Sequence, residues 1–128
     1  MRAGLVRRRD TAGPLGSLEA EVMAVLWEAG TPLSVRQTAD RLNADRAALL
    51  AYTTVMTVLS RLAGKGILTR ERSGRGYVYE PVARDTAEIA VRDVLGQFGD
   101  AALARFVDQV ELDPQLRRRL RRVMRDPR

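Results

Sequence analysis

Wound as a helix, residues 52–62 place Thr53, Thr57, Ser60 and Arg61 on one face and Val55, Val58, Leu59 and Leu62 on the other. Hydroxyls and a guanidinium in such a row bind by hydrogen bonding; they do not break bonds. Threonine offers a hydroxyl beside a methyl, and arginine a planar fork of donors. That is the chemistry of base edges and phosphate oxygens. Thr and Ser are mediocre helix formers, so helix stability does not explain the face. Between Asp45 and Glu71 the chain has no acid, although it holds 16 elsewhere. A surface kept clear of carboxylates suits a polyanion.

Composition narrows the alternatives. The 128 residues include 22 Lys plus Arg against 16 Asp plus Glu, a net charge of +6, and Lys65 is the one lysine. A basic chain of this kind most often meets nucleic acid. Without cysteine or histidine, disulfides, thiolate chemistry, the common soft-metal ligands and an imidazole base are all excluded. No nucleophile–base pair can be assembled, so no enzyme, metal or cofactor is expected. The arginines near the start precede no apolar signal core, and no run approaches the roughly 18 apolar residues of a membrane span. A cytoplasmic protein is the expectation.

The elements that position the face can be read in order. Residues 1–14, with Arg2, Arg7, Arg8 and Arg9, read as a flexible basic arm. Ser17 is expected to cap a first helix ending at Glu28 or Ala29, with Leu18, Val22, Val25, Leu26 and Ala29 as its stripe. Met23 and Trp27 lie on its other side, for packing or for a ligand pocket. Ser34 with Gln37 forms a capping-box pattern that starts a second helix. The third runs from about Tyr52 to Ala63, with Gly64 and Gly66 to end it and the weak cap Ala51 leaving its first amides free for a phosphate. Two β-forming segments, Ile67–Arg72 and Tyr77–Glu80, flank Ser73-Gly74-Arg75-Gly76 as a hairpin.

The fold class expected is therefore mostly α with a small β-hairpin: a winged helix-turn-helix over residues 15–82, then a helical dimerisation region over 83–126. In the latter, Val91, Val94, Leu95 and Phe98 form one stripe, and Leu103, Phe106, Val107 and Val110 a second. Asp113-Pro114 starts a third helix bearing Leu116 and Leu120. Three short stripes have too little partner surface in one chain, and a two-fold dimer is the economical solution. Arg118, Arg119, Arg121 and Arg122 ring the last stripe, as a solvated surface or a nonspecific DNA contact.

In a helix-turn-helix the second helix of the motif enters the major groove, which assigns base reading to the Thr53–Arg61 face. Arg70, Arg72 and Arg75 on the hairpin can reach the DNA backbone or minor groove. Ser34 and Arg36, together with Tyr52, Thr54 and Ser60, are further backbone candidates.

The runs LEAEVMAVLWEAG, SVRQTADRL and AYTTVMTVLSRLAGKGILTRERSGRGYVYEP resemble the BlaI/MecI group of bacterial winged-helix repressors, the penicillinase repressor family, over about residues 15–112. The resemblance implies a homodimer on an inverted-repeat, double-stranded DNA operator, repressing genes for β-lactam resistance or cell-wall stress. It places base reading on Thr53, Met56, Thr57 and Arg61. It also implies release through the protease activity of a membrane-bound sensor, with cleavage between Arg105 and Phe106. Two other readings stay open: a small-molecule-responsive regulator with Met23 and Trp27 at its pocket, and a winged helix for protein contact without DNA.

Overall fold

The computed structural model describes residues 14–126, so all of the expected basic arm except Pro14 lies outside the described residues. The chain divides between Ala90 and Val91 into two compact units.

The first unit opens with α1 (Ser17–Ala29). Gly16, not Ser17, holds the cap position in extended backbone. The Glu19 carboxylate is the reason: its Oε1 accepts the Gly16 amide at 3.0 Å, satisfying the helix start with a side chain from inside the first turn. Gly30, at φ 66°, ends the helix.

A two-residue strand follows, β1 (Leu33–Ser34), and leads into α2 (Val35–Asn43). The capping box forms in full. Ser34 Oγ accepts the Gln37 amide at 3.1 Å and Gln37 Oε1 accepts the Ser34 amide at 2.9 Å. Across the turn to α3 (Tyr52–Gly64), Asn43 acts as a staple: its Nδ2 donates to the Leu50 carbonyl at 3.1 Å and its Oδ1 accepts the Leu50 amide at 2.8 Å. The α3 end is a Schellman motif, with Ile67 N–H on the Leu62 carbonyl, Gly66 N–H on the Ala63 carbonyl, and Gly66 at φ 79°.

The wing is the antiparallel pair β2 (Leu68–Ser73) and β3 (Gly76–Pro81), with Ser73 opposite Gly76 and Gly74 at φ 62° in the turn. The sheet order is β1-β3-β2, with Leu33 opposite Tyr79. Val22, Met23 and Leu26 of α1 meet Val55, Leu59 and Leu62 of α3 in the core, closed by Leu33, Leu68 and Tyr79. Trp27 sends its indole N–H to the Ala83 carbonyl at 2.9 Å. Ala83 and Ile89 are buried in this same core, so the first unit extends beyond Pro81.

α4 (Thr86–Phe98) starts in the first unit and continues into the second, which also holds α5 (Asp100–Leu112) and α6 (Pro114–Arg125). Asp113 caps α6, accepting the Gln115 and Leu116 amides at 2.9 and 3.2 Å. Neither α5 nor α6 has a buried residue. Three helices and a three-stranded wing on this topology make the first unit a winged helix-turn-helix.

Candidate nucleic-acid interface

The interface is built on α3. Val55, Val58, Leu59 and Leu62 are buried, which fixes the helix's rotation and turns the polar side chains of residues 53–61 outward. Thr53, Thr57 and Ser60 occupy the middle of the exposed face. Helical geometry then puts Tyr52 and Met56 at one edge, and Thr54 and Arg61 at the other. All are exposed.

The Tyr52–Met56 edge borders the wing. Tyr52, Met56 and Ser60 line a groove together with Ser34 and Arg36 at the start of α2 and with Arg70, Arg75 and Tyr77 of the hairpin. The structure thus gathers three groups that are distant in sequence. Arg36 lies over the Tyr52 ring at 5.9 Å, and Arg70 and Arg72 over the Tyr77 ring at 4.4 and 5.6 Å. The alternation of β2 sets Arg70 and Arg72 on one side of the ribbon and Glu71 on the other. The lone acid near the wing tip is thereby kept off the arginine face. Ser34 is half-buried, with its oxygen occupied by the Gln37 amide; its hydroxyl hydrogen remains free to donate.

The Arg61 edge is governed by a pair that pattern reading missed. Glu19 is buried beside the C-terminus of α3, and Lys65 Nζ reaches its two oxygens at 3.3 and 3.0 Å. Burial works to raise the Glu19 pKa, but the Gly16 amide, Lys65 and Arg61 outweigh it and hold the carboxyl below its ordinary value. Lys65 neutralises the acid whose field reaches Arg61. The signal available in sequence was thin: the single lysine, and a Glu in the first turn that served the helix dipole equally well. Tyr77 was also missed as an arginine support, although an aromatic between basic β-positions could have pointed to it.

Met23 takes the packing option and is fully buried, whereas Trp27 is half-buried: its indole N–H goes to the Ala83 carbonyl, and its ring lines an open pocket with Gly30, Pro81 and Val82. In the second unit Val91, Val94, Leu95, Phe98, Leu103, Phe106 and Val107 are exposed, while Val110, Leu116 and Leu120 are half-buried. Arg105 makes an ion pair with Asp108 at 3.2 Å on the surface of α5. Among the described residues no helix is long and apolar enough to cross a membrane.

The chain is 44% identical over 106 residues to the transcriptional regulator BlaI of Mycobacterium tuberculosis, covering 77% of this chain and 75% of that protein. The solution structure of the Bacillus licheniformis BlaI monomeric form, in complex with the blaP half-operator, is 28% identical, covers 59% of this chain and 87% of its own, and superposes with a TM-score of 0.47. The complex structure of hsRosR-S4 is 17% identical, covers 92% of this chain and 90% of that one, and has a TM-score of 0.51, a likeness of fold. The penicillinase repressor profile matches residues 15–126. The Mycobacterium tuberculosis relative is a transcriptional regulator and not an enzyme, and the chain belongs to the penicillinase repressor family.

Proposed function

We propose that this protein is a cytoplasmic transcriptional repressor that binds an inverted-repeat DNA operator as a homodimer. The observation that carries the reading is the α3 face. It is exposed, free of carboxylates and edged by a basic wing, on a chain that shares 44% of its matched residues with a transcriptional regulator. Thr53, Met56, Thr57 and Arg61 read bases: hydroxyls and the guanidinium by hydrogen bonds, Met56 by apolar contact with a thymine methyl. Ser34, Arg36, Tyr52, Thr54, Ser60, Arg70, Arg72 and Arg75 hold the backbone and set register. The first unit, which runs on through Ala83 and Ile89 to Ala90 and not only to residue 82, forms the DNA-binding domain, and the second unit forms the dimerisation domain.

The dimer reading is supported by the exposed stripe on the second unit. Phe98 is 55% and Phe106 47% exposed in the single chain. Covering apolar side chains of that size with a second copy is favourable, and two joined half-site readers gain effective concentration. Release follows if a membrane-bound sensor, activated by β-lactam or cell-wall stress, leads to cleavage between Arg105 and Phe106. That bond lies inside α5, so the nick separates Phe106 and Val107 from the helix start and dissolves the shared core.

The test is selection of bound sites from a random duplex library, followed by titration over a salt series. Enrichment of one palindrome, bound more tightly than random duplex and weakened steeply by salt, is the expected result. Equal affinity for all sequences would overturn base reading by α3. An intact chain after incubation with the activated cognate sensor would remove the cleavage step.

A further inference from the structure

α6 carries six arginines, Arg117, Arg118, Arg119, Arg121, Arg122 and Arg125, and no acid. Arg105 of α5, by contrast, meets an acid on its own helix, Asp108, at 3.2 Å. Among the described residues, the polar contact made by an α6 guanidinium is that of Arg117, which donates to the Glu111 carbonyl at 2.8 Å. Arg118, Arg121, Arg122 and Arg125 are exposed and spaced three and four apart, so they form one row on the helix. Leu116 and Leu120 are half-buried on the other side, where α5 packs against α6.

Such a row costs stability, because like charges three and four apart repel along a helix. Arg122 and Arg125 in the last turn complement the helix dipole, but Arg118 and Arg121 have no such role, and Asp113 caps α6 without them. At 1.5 Å per residue the row is about 10 Å long, over which one DNA strand presents about three phosphates. Arginine, with its planar fork, matches a phosphate better than lysine does. A lipid surface fits less well. Val123 and Met124 are the exposed large apolar residues of α6, too few for the continuous apolar face with which a helix seats in a bilayer interface.

We infer that α6 is a second, sequence-independent DNA contact, in which Arg118, Arg121, Arg122 and Arg125 form a rail for the phosphate backbone. The inference rests on the reading that the chain binds a duplex. It adds affinity and salt dependence without adding sequence preference.

The test compares the full-length wild type with a variant carrying Arg118→Gln, Arg121→Gln, Arg122→Gln and Arg125→Gln. Each is titrated with a duplex bearing the selected site and with one of random sequence, over a range of salt. The glutamine variant is expected to weaken both duplexes by about tenfold or more at moderate salt, to lower the log–log salt slope by about 2–3 per protomer, and to leave the ratio between duplexes unchanged. Changing the same residues to lysine keeps the charge and is expected to keep the slope. Should the full glutamine set misfold, Arg118→Gln with Arg122→Gln is expected to lower the slope by about half as much. A wild type that binds while the glutamine variant shows its full slope overturns the rail alone. A lysine set that loses the slope, or a changed duplex ratio, also overturns it. Wild type retained by phosphatidylserine–phosphatidylcholine vesicles in preference to random duplex overturns the choice of DNA. Wild type that binds no duplex at all removes the operator reading and the rail together.

Discussion

Replacing Lys65 with methionine cuts the link between the start of α1 and the end of α3 while keeping the aliphatic stem. Glu19 stays buried and still accepts the Gly16 amide at 3.0 Å, but it loses an ammonium at 3.0 and 3.3 Å. Leaving a buried acceptor short of a partner costs about 1–3 kcal/mol. The Lys65 side chain is 45% exposed, and solvent already screens part of its attraction, which favours the lower part of that range, about 1–2 kcal/mol. At about 4 °C per kcal/mol, the melting temperature should fall by about 4–8 °C. The pH dependence has a definite sign. The folded Glu19 carboxyl titrates below its ordinary 4.5. A depressed carboxyl contributes stability above its unfolded pKa and loses it as pH falls through the folded value. The gap between wild type and Lys65→Met should therefore be full near neutrality and close below pH 4.5. Thermal unfolding followed by circular dichroism at a series of pH values measures it. Equal melting temperatures near neutrality, or a gap that persists undiminished in strong acid, would refute the reasoning.

Other expectations follow from the same surface. Arg61→Ala should cost about 1–3 kcal/mol on the selected site and relax preference at one base pair, whereas equal loss on random duplex would mean its role is misassigned. Arg72→Ala should weaken all sequences alike and reduce the salt slope by about one. Tyr77→Leu removes the ring beneath Arg70 and Arg72 and should lower affinity about 2–5-fold, with Tyr77→Phe restoring it; a phenylalanine variant as weak as the leucine one would exclude the cation–π account. Leu95→Asp should give monomers in sedimentation while the first unit keeps its helical signal, and a monomer with undiminished operator affinity would contradict two-site binding.

What could be read in the chain, and what could not, divides by range. The Ser34–Gln37 box, the Asp113 cap and the α3 stripe are encoded within one or two helical turns, and they form as read. The wing was visible from its β-forming runs around Ser73–Gly76, and it shifts by about one residue at each end. β1 was not legible. Two residues have no period of their own and become a strand because Val78 and Tyr79 offer an edge. Gly16 displaces Ser17 as cap because the Glu19 carboxylate accepts the Gly16 amide, the half of a capping box that needs no side chain on the cap, and Lys65, far along the chain, helps to hold it there. The Asn43–Leu50 staple and the arginine-on-tyrosine stacks likewise depend on juxtapositions that folding creates. The outward face of α3 was legible because burial of four apolar residues leaves only one rotation.

The most direct test of that face is guanine N7 protection from methylation on the selected duplex, since N7 lies in the major groove. Two protected patches are expected, centred about 10 base pairs or a multiple apart and both lost in Thr57→Glu, whose carboxylate would meet the phosphates and base acceptors. Methylation protection confined to adenine N3 in the minor groove, with every guanine N7 still reactive, or a Thr57→Glu protein that leaves the same footprint as wild type, would contradict it.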